Sequence, residues 1–238
     1  MSIVVVSFPG SNCDRDSIHA MRNVVGAPTR QIFHKETDLG ECSGVLIPGG
    51  FSYGDYLRAG ALAKISPIMP SIRRFADAGG PVLGVCNGFQ ILCEAGLLPG
   101  ALMLNRNLRF ISRPVELRVE NSDTIFTRHL WQDQIIRMPI AHAEGNFTAD
   151  TDTLEQLATN QQIVFRYTGP IRGDSPDGNP NGSAMSIAGI VNDAGNVLGM
   201  MPHPERAIES ILGSSDGLPI LQGFAEAAME RASIEYSF

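Results

Sequence analysis

Short apolar runs closed off by Gly or Pro constrain the fold of this 238-residue chain more than any other feature. Ile3 to Phe8, Gly44 to Ile47, Val82 to Val85, Ile163 to Phe165, Ile187 to Val191 and Val197 to Met200 are each short enough to be a strand buried on both faces. Between several of them lie helical patterns: Asp14 to Val25, Tyr56 to Ala78 with a break near Pro67, Phe89 to Ala95, and Thr153 to Leu157, with a further helical stretch near the C-terminus. This alternation predicts an α/β fold, a mostly parallel central sheet flanked by helices. The middle of the chain keeps a different rhythm. PVELRVEN and IIRMPIAHAEGNF alternate as half-buried strands do, which predicts a small antiparallel subsheet. VNDAGNVLG, with Asp193, Gly195 and Asn196 between apolar runs, predicts a hairpin, and Thr168 to Ser183 reads as a long loop.

Composition narrows the function. A chain that is 43% hydrophobic can bury a sizeable core, and residues 1–238 are read as one domain. Its formal charge of -7, with no basic cluster larger than Arg73-Arg74, argues against nucleic acid as a partner. No run approaches the roughly 18 to 20 apolar residues of a membrane span, and the apolar start SIVVVSF lacks the basic flank of a signal peptide, so a cytoplasmic protein without membrane contact is expected. Neither of the two lysines, Lys35 and Lys64, lies in a GxxxxGK[ST] phosphate cradle, so any ATP is expected on another chain. The four cysteines, Cys13, Cys42, Cys86 and Cys93, form no CxxC pair, which predicts reduced thiols and neither a disulfide framework nor a metal site.

Chemistry is expected first at PVLGVCNGFQ. Cys86 falls where the PVLGV strand ends and a helix begins, and ligands gather at the carboxyl ends of strands in α/β sheets. The Gly84-x-Cys86-x-Gly88 spacing is that of a nucleophile elbow, in which a strained turn projects the nucleophile between small neighbours. The amides that open the following helix favour thiolate over thiol.

A thiolate needs a proton partner, and of the five histidines His203 is best placed. It follows a strand, Pro202 and Pro204 keep its segment extended, and Glu205 lies on the same side to orient the imidazole. His19 and His129 read as surface or capping residues. An acyl transfer also needs two donors for the oxyanion. The amide of Asn87 offers one; Gly50, in the Gly49-Gly50 pair after the second strand, offers the other. Gln90, one helical turn past Cys86, is a candidate for holding a substrate's amino acid end, and Cys13 is expected simply to pack beside the end of the first strand.

PGGFSYGD, GVCNGFQ and PHPE occur in that order, and together they resemble the motifs of class I glutamine amidotransferases over most of the chain. The resemblance implies a flavodoxin-like glutaminase in which Cys86, His203 and Glu205 are the catalytic triad. FPGSNCDRD, PGGFSYGDYLRAG, PIAHAEGNF and NPNGS narrow it to the glutaminase subunits of phosphoribosylformylglycinamidine synthase, of purine biosynthesis. That family hydrolyses L-glutamine and passes ammonia to a synthetase subunit that consumes ATP. The resemblance therefore implies no cofactor in this chain, ATP and Mg on the synthetase partner, and a small third subunit. The chain begins at its first strand and stops soon after a helical stretch, so the split form rather than the long fused enzyme is expected. His142 and Glu144, with Gly49, match segments expected near the glutamine pocket or the partner interface. The alternative is a cysteine-elbow protein of stress-response or peptidase-like type; those usually carry histidine directly after the cysteine, where this chain has Asn87, and lack the distant PHPE segment.

Overall fold

The computed structural model describes residues 1–169 and 178–235. Among the described residues five α-helices, α1 (Asp14–His19), α2 (Met69–Asp77), α3 (Asn87–Glu94), α4 (Thr151–Thr159) and α5 (Leu218–Glu235), accompany eleven strands. Their ranges are β1 (Ser2–Ser7), β2 (Thr29–Phe33), β3 (Cys42–Ile47), β4 (Val82–Val85), β5 (Ala101–Met103), β6 (Ile111–Val119), β7 (Ile135–His142), β8 (Asn146–Thr148), β9 (Ile163–Thr168), β10 (Ile187–Val191) and β11 (Val197–Met200). Nine strands form one sheet in the order β2-β1-β3-β4-β11-β10-β9-β6-β7, while β5 and β8 make a separate antiparallel pair.

The strands from β2 to β11 in that order are parallel; β10, β9, β6 and β7 continue the sheet in antiparallel fashion. Burial follows from this. Every residue of β3, β4, β10 and β11 is buried, as covering on both faces requires, whereas β6 and β7 alternate because one of their faces meets solvent. The antiparallel strands expected from PVELRVEN and IIRMPIAH are thus continuous with the main sheet through β9. The hairpin forms as read, with Val191 opposite Leu198.

Three differences have local causes. Tyr56 to Pro67 forms no α-helix, only a short 3-10 turn at Ala63–Ile65: Leu57 and Gly60 take positive φ, which breaks a helix, and α2 starts only at Met69 with a proline in its first turn. Strand β2 carries Arg30 and Gln31 at the edge of the sheet, where half-exposed polar side chains hide a strand from an apolar-run reading. Asp14 to Val25 is helical throughout, yet its second half, Ala20–Val24, widens into a π turn. Residues 170–177 of the long loop lie outside the described part. No helix among the described residues is long and apolar enough to cross a membrane.

The sheet's most useful consequence lies at one edge. Adjacent parallel strands β3, β4 and β11 end together, with Ile47 opposite Gly84 and Met200 opposite Val85. Their carboxyl ends therefore deliver Gly49-Gly50, Cys86 and His203 to one place.

Candidate active site

Cys86 has φ 51° and ψ -105°, a conformation costly for any residue with a side chain, and it precedes the first residue of α3. Its neighbours explain why the turn closes. A Cβ at Gly84 would sit 2.8 Å from the Gly88 carbonyl, and one at Gly88 would run into the Ile47 carbonyl oxygen. The two glycines let α3 press against β3 and β4, and this close packing holds the strained residue in place. The Cys86 amide is tied to Met200 O at 2.7 Å. Cys86 is 4% exposed, and its thiol makes a long contact, 3.6 Å, to the Ala141 carbonyl.

His203 and Glu205 come from the turn after β11, as the sequence implied. The imidazole Nδ1 is 2.6 Å from Glu205 Oε1, and both side chains are fully buried. The His203 amide donates to Pro139 O of β7, fixing the turn from the other side. Nε2, the other ring nitrogen, has no hydrogen-bond partner although it is buried, and the ring interacts with the sulfurs of both Cys86 and Cys13. Burial works against a charged imidazole here, but Glu205, Cys86 and Cys13 together outweigh it and raise the His203 pKa well above its ordinary value.

The Gly-Gly turn lies where the β3 end meets these groups. A side chain at Gly49 would approach His203 Cε1 to 2.7 Å and lie 3.4 Å from Cys86 Cβ, and one at Gly50 would meet Ser11 Cα at 2.7 Å. Only glycine fits at either position. Asn12 donates to Gly49 O and Phe51 to Gly10 O, so the bonds that fix the turn leave the Gly50 N–H unused. Asn87 N–H opens α3 and has no acceptor within the helix. The Asn87 side chain braces the turn instead, accepting from Ser52 N at 3.1 Å and donating to Gln90 Oε1 at 2.8 Å.

Gln90 is buried rather than on a helix surface. Its Nε2 donates to Glu144 O at 2.6 Å, which ties α3 to the HAEG segment, and Glu144 Oε2 accepts from Ala59 N at 3.1 Å. His142 faces inward with Nδ1 3.1 Å from Asn105 Oδ1; burial first, then the charge of His203, pushes its pKa down to about 3, so it is neutral. Asn105 also accepts from Gly145 N, while Asn181 and Ser183 of NPNGS both donate to Gly145 O. NPNGS and PIAHAEGNF thus form one hydrogen-bonded unit beside the cysteine.

Sequence reasoning missed three participants. Cys13, just before α1, does not merely fill space: its sulfur accepts from Arg206 Nη2 and donates to Asn12 Oδ1, both at 3.1 Å, and it faces His203. Arg206 is held in turn by Asp16 at 3.0 Å. Asp55 stands beside Glu144 with one carboxylate oxygen buried and unpartnered; burial, then Glu144, raises its pKa to about 6. Only the SNCD motif hinted at Cys13. Nothing in spacing linked Asp55 to Glu144.

The raised carboxyl at Asp55 has a consequence for stability. The folded state holds its proton more tightly than the unfolded chain, so its charging destabilises the fold as pH rises from about 4 through about 6. Asp55→Asn keeps the shape and tolerates the positive φ at this position. Solvent screens the half-buried carboxyl in part, so we expect the substitution to stabilise the protein by about 1 to 2 kcal/mol at pH 8, a gain that shrinks towards zero near pH 4. Thermal unfolding of both proteins across this range checks the sign.

A strained cysteine at the end of a central parallel strand, facing a buried imidazole held by a carboxylate, is the constellation of an α/β enzyme that attacks acyl carbon with sulfur. Residues 1–217 match the family model of the CobB/CobQ-like glutamine amidotransferase domain. The chain is 53% identical over 218 residues, 92% of this chain and 93% of the relative, to the phosphoribosylformylglycinamidine synthase subunit PurQ of Salinibacter ruber. Its fold superposes on a chain of the PurLQS structure from Thermotoga maritima with a TM-score of 0.83 and 40% identity, covering 95% of this chain and 99% of that one. A Thermoplasma acidophilum protein ascribed to GMP synthase, 16% identical with a TM-score of 0.65 over 99% of this chain and 98% of that one, shares the fold. The chain therefore belongs to the CobB/CobQ-like glutamine amidotransferase family and, within it, to the PurQ subunits of phosphoribosylformylglycinamidine synthase.

Proposed function

We infer that this chain is the glutaminase subunit of phosphoribosylformylglycinamidine synthase, hydrolysing L-glutamine and delivering ammonia to a synthetase subunit that makes formylglycinamidine ribonucleotide in purine biosynthesis. The observation that carries the mechanism is the strained Cys86 facing an imidazole whose far nitrogen is bound to Glu205. Cys86 Sγ gives its proton to His203 Nε2 and attacks the carboxamide carbon, forming the C–S bond. The amides of Gly50 and Asn87 receive the oxyanion. The imidazolium then protonates the leaving nitrogen, the C–N bond breaks, and ammonia departs. In the second half a water gives a proton to His203 and its oxygen attacks the thioester; the proton passes to Cys86 sulfur as glutamate leaves. Glu205 holds the ring in one tautomer and stabilises its positive charge, consistent with the raised His203 pKa.

Gly49, Gln90, His142 and Glu144 line the approach for the substrate's amino acid end, with His142 neutral beside the triad. Residues 1–238 act as one cytoplasmic glutaminase domain without a cofactor of its own. ATP and Mg belong to the synthetase partner, and a small third subunit completes the complex, in keeping with the PurLQS name of the Thermotoga maritima assembly.

Cys13 faces the same imidazole and is the competing nucleophile. Its backbone is unstrained, with φ -106°, and its sulfur is occupied by Arg206 and Asn12, which favours Cys86. Peptide mass spectrometry after treatment with an electrophilic glutamine analogue, in the presence and absence of the synthetase, separates the two. An adduct confined to Cys86 is expected. An adduct on Cys13, or none under either condition, overturns the assignment.

A further inference from the structure

Just after the Gly49-Gly50 turn the chain passes through Tyr53, whose backbone lies at φ 55° and ψ 27°, in the left-handed region that a bulky side chain avoids. Asp55 follows at φ 53°. Backbone of this kind persists only where the contacts around it over-determine it, and here they can be named. Tyr53 N donates to Pro9 O at 2.6 Å, and the phenol Oη lies 2.9 Å from His34 Nδ1 and 3.0 Å from Ser66 Oγ. His34 Nδ1 and Ser66 Oγ are 3.2 Å apart, so the three groups close a triangle. His34 is its fixed corner. Buried just after β2, it donates its amide to Ser7 O of β1 and accepts from Ile68 N ahead of α2, while its ring stacks on Phe8 with Phe33 and Tyr53 edge-on. The other large side chains of this loop, Phe51, Tyr56 and Leu57, are exposed, so Tyr53 is the one that ties the loop to the sheet.

We propose that the triangle of His34, Tyr53 and Ser66 is a positioning device for the oxyanion site, setting the separation of the two amide donors. Those donors, Gly50 and Asn87, come from different elements and are joined through Ser52, whose amide donates to Asn87 Oδ1 at 3.1 Å. Tyr53 directly follows Ser52 in the chain, so a shift of Tyr53 is passed to Ser52 and changes the spacing between Gly50 and Asn87. On its other side the turn is already held, by Phe51 N donating to Gly10 O at 2.9 Å. An amide stabilises a developing oxyanion only at hydrogen-bond distance from where the charge forms. A misplacement of about 1 Å caused by a change far from the chemistry can cost about 100-fold in rate. His34, Tyr53 and Ser66 act through Ser52 and Gly50 rather than on the reacting atoms, so they are positioning residues. The proposal rests on the glutaminase reading and adds to it the residues that keep the oxyanion turn in register.

The test is steady-state glutamate formation from glutamine by the complex with its synthetase, expressed per folded chain, with the folded fraction of each variant taken from thermal unfolding. Tyr53→Phe removes only the hydroxyl. We expect kcat to fall at least about tenfold while KM stays within about threefold, so that kcat and kcat/KM drop together, as when an interaction made only in the transition state is lost. His34→Leu should behave in the same way. His34→Asn should stay within about threefold of the natural chain, because Nε2 is buried without a partner and the asparagine amide can replace the one nitrogen that the triangle uses. A normal kcat per folded chain in Tyr53→Phe would reduce the triangle to structural support and overturn the proposal. An asparagine variant as slow as His34→Leu would overturn it too, by denying the hydrogen bond its part. Tyr53→Phe is the mildest of these changes and decides the matter should either His34 variant fail to fold. Failure of the natural complex to form glutamate would instead overturn the glutaminase reading, and this proposal with it.

Discussion

Replacing Cys86 with alanine is expected to lower glutamine hydrolysis by about 10,000-fold or more while leaving the fold intact, because in the proposed mechanism its sulfur forms the only bond that carries the acyl group. Nothing else nearby can substitute without a second rearrangement: Cys13 is held by Arg206 and Asn12. Retention of more than a trace of glutamate formation in this variant would falsify the role of Cys86. The same position makes a second, independent demand. At φ 51° and ψ -105° a side chain costs energy that glycine avoids, so Cys86→Gly should be more stable than Cys86→Ala by about 1 kcal/mol, the reverse of their usual order. Both variants should be inactive. Thermal melting of the pair tests whether the strain at the elbow is stored in the folded state, as expected where activity rather than stability selects the residue.

Replacing Gly88 with alanine should be the most damaging small change in the molecule for stability. The added methyl would be driven into the Ile47 carbonyl oxygen, which is backbone at the end of β3 and cannot swing aside. Either α3 lifts away from β3 and β4, exposing the packing of Ile91 and Leu92, or the strand end deforms. A loss of at least about 3 kcal/mol is expected, as for overpacked cores that cannot relax. Because Cys86 is seated by that same contact, activity should fall even in protein that remains folded. Denaturant unfolding would measure the first effect and glutaminase assays of the soluble fraction the second. A variant as stable as the natural protein would show that the elbow is not held by helix-to-strand packing.

Much of this was legible in the residues because the physics involved is local. Buried strands such as β3, β4 and β11 announce themselves as short apolar runs, and the glycines around Cys86 mark a turn that larger residues would block. His203 and Glu205 lie two residues apart on one extended segment, so their partnership is also local. Edge strand β2 was hidden by its polar, half-exposed positions, and Tyr56 to Pro67 read as helix because its pattern does not reveal the positive φ of Leu57.

The sequence by itself determined the buried central strands, the glycine-flanked turn at Cys86 and the candidate residues for acyl transfer, since each depends on propensities and spacings within a few residues. Which side chains meet was decided only by tertiary structure. Strand order brings the ends of β3, β4 and β11 together, the return of β7 sets Ala141 O against Cys86, and the loop after β1 carries Cys13 to His203. Asp55 and Glu144 are far apart along the chain, yet the charge of Glu144 helps to raise the Asp55 pKa. Such encounters depend on how distant elements pack, and burial then gives those groups electrostatic properties that neither neighbourhood possesses in the unfolded chain.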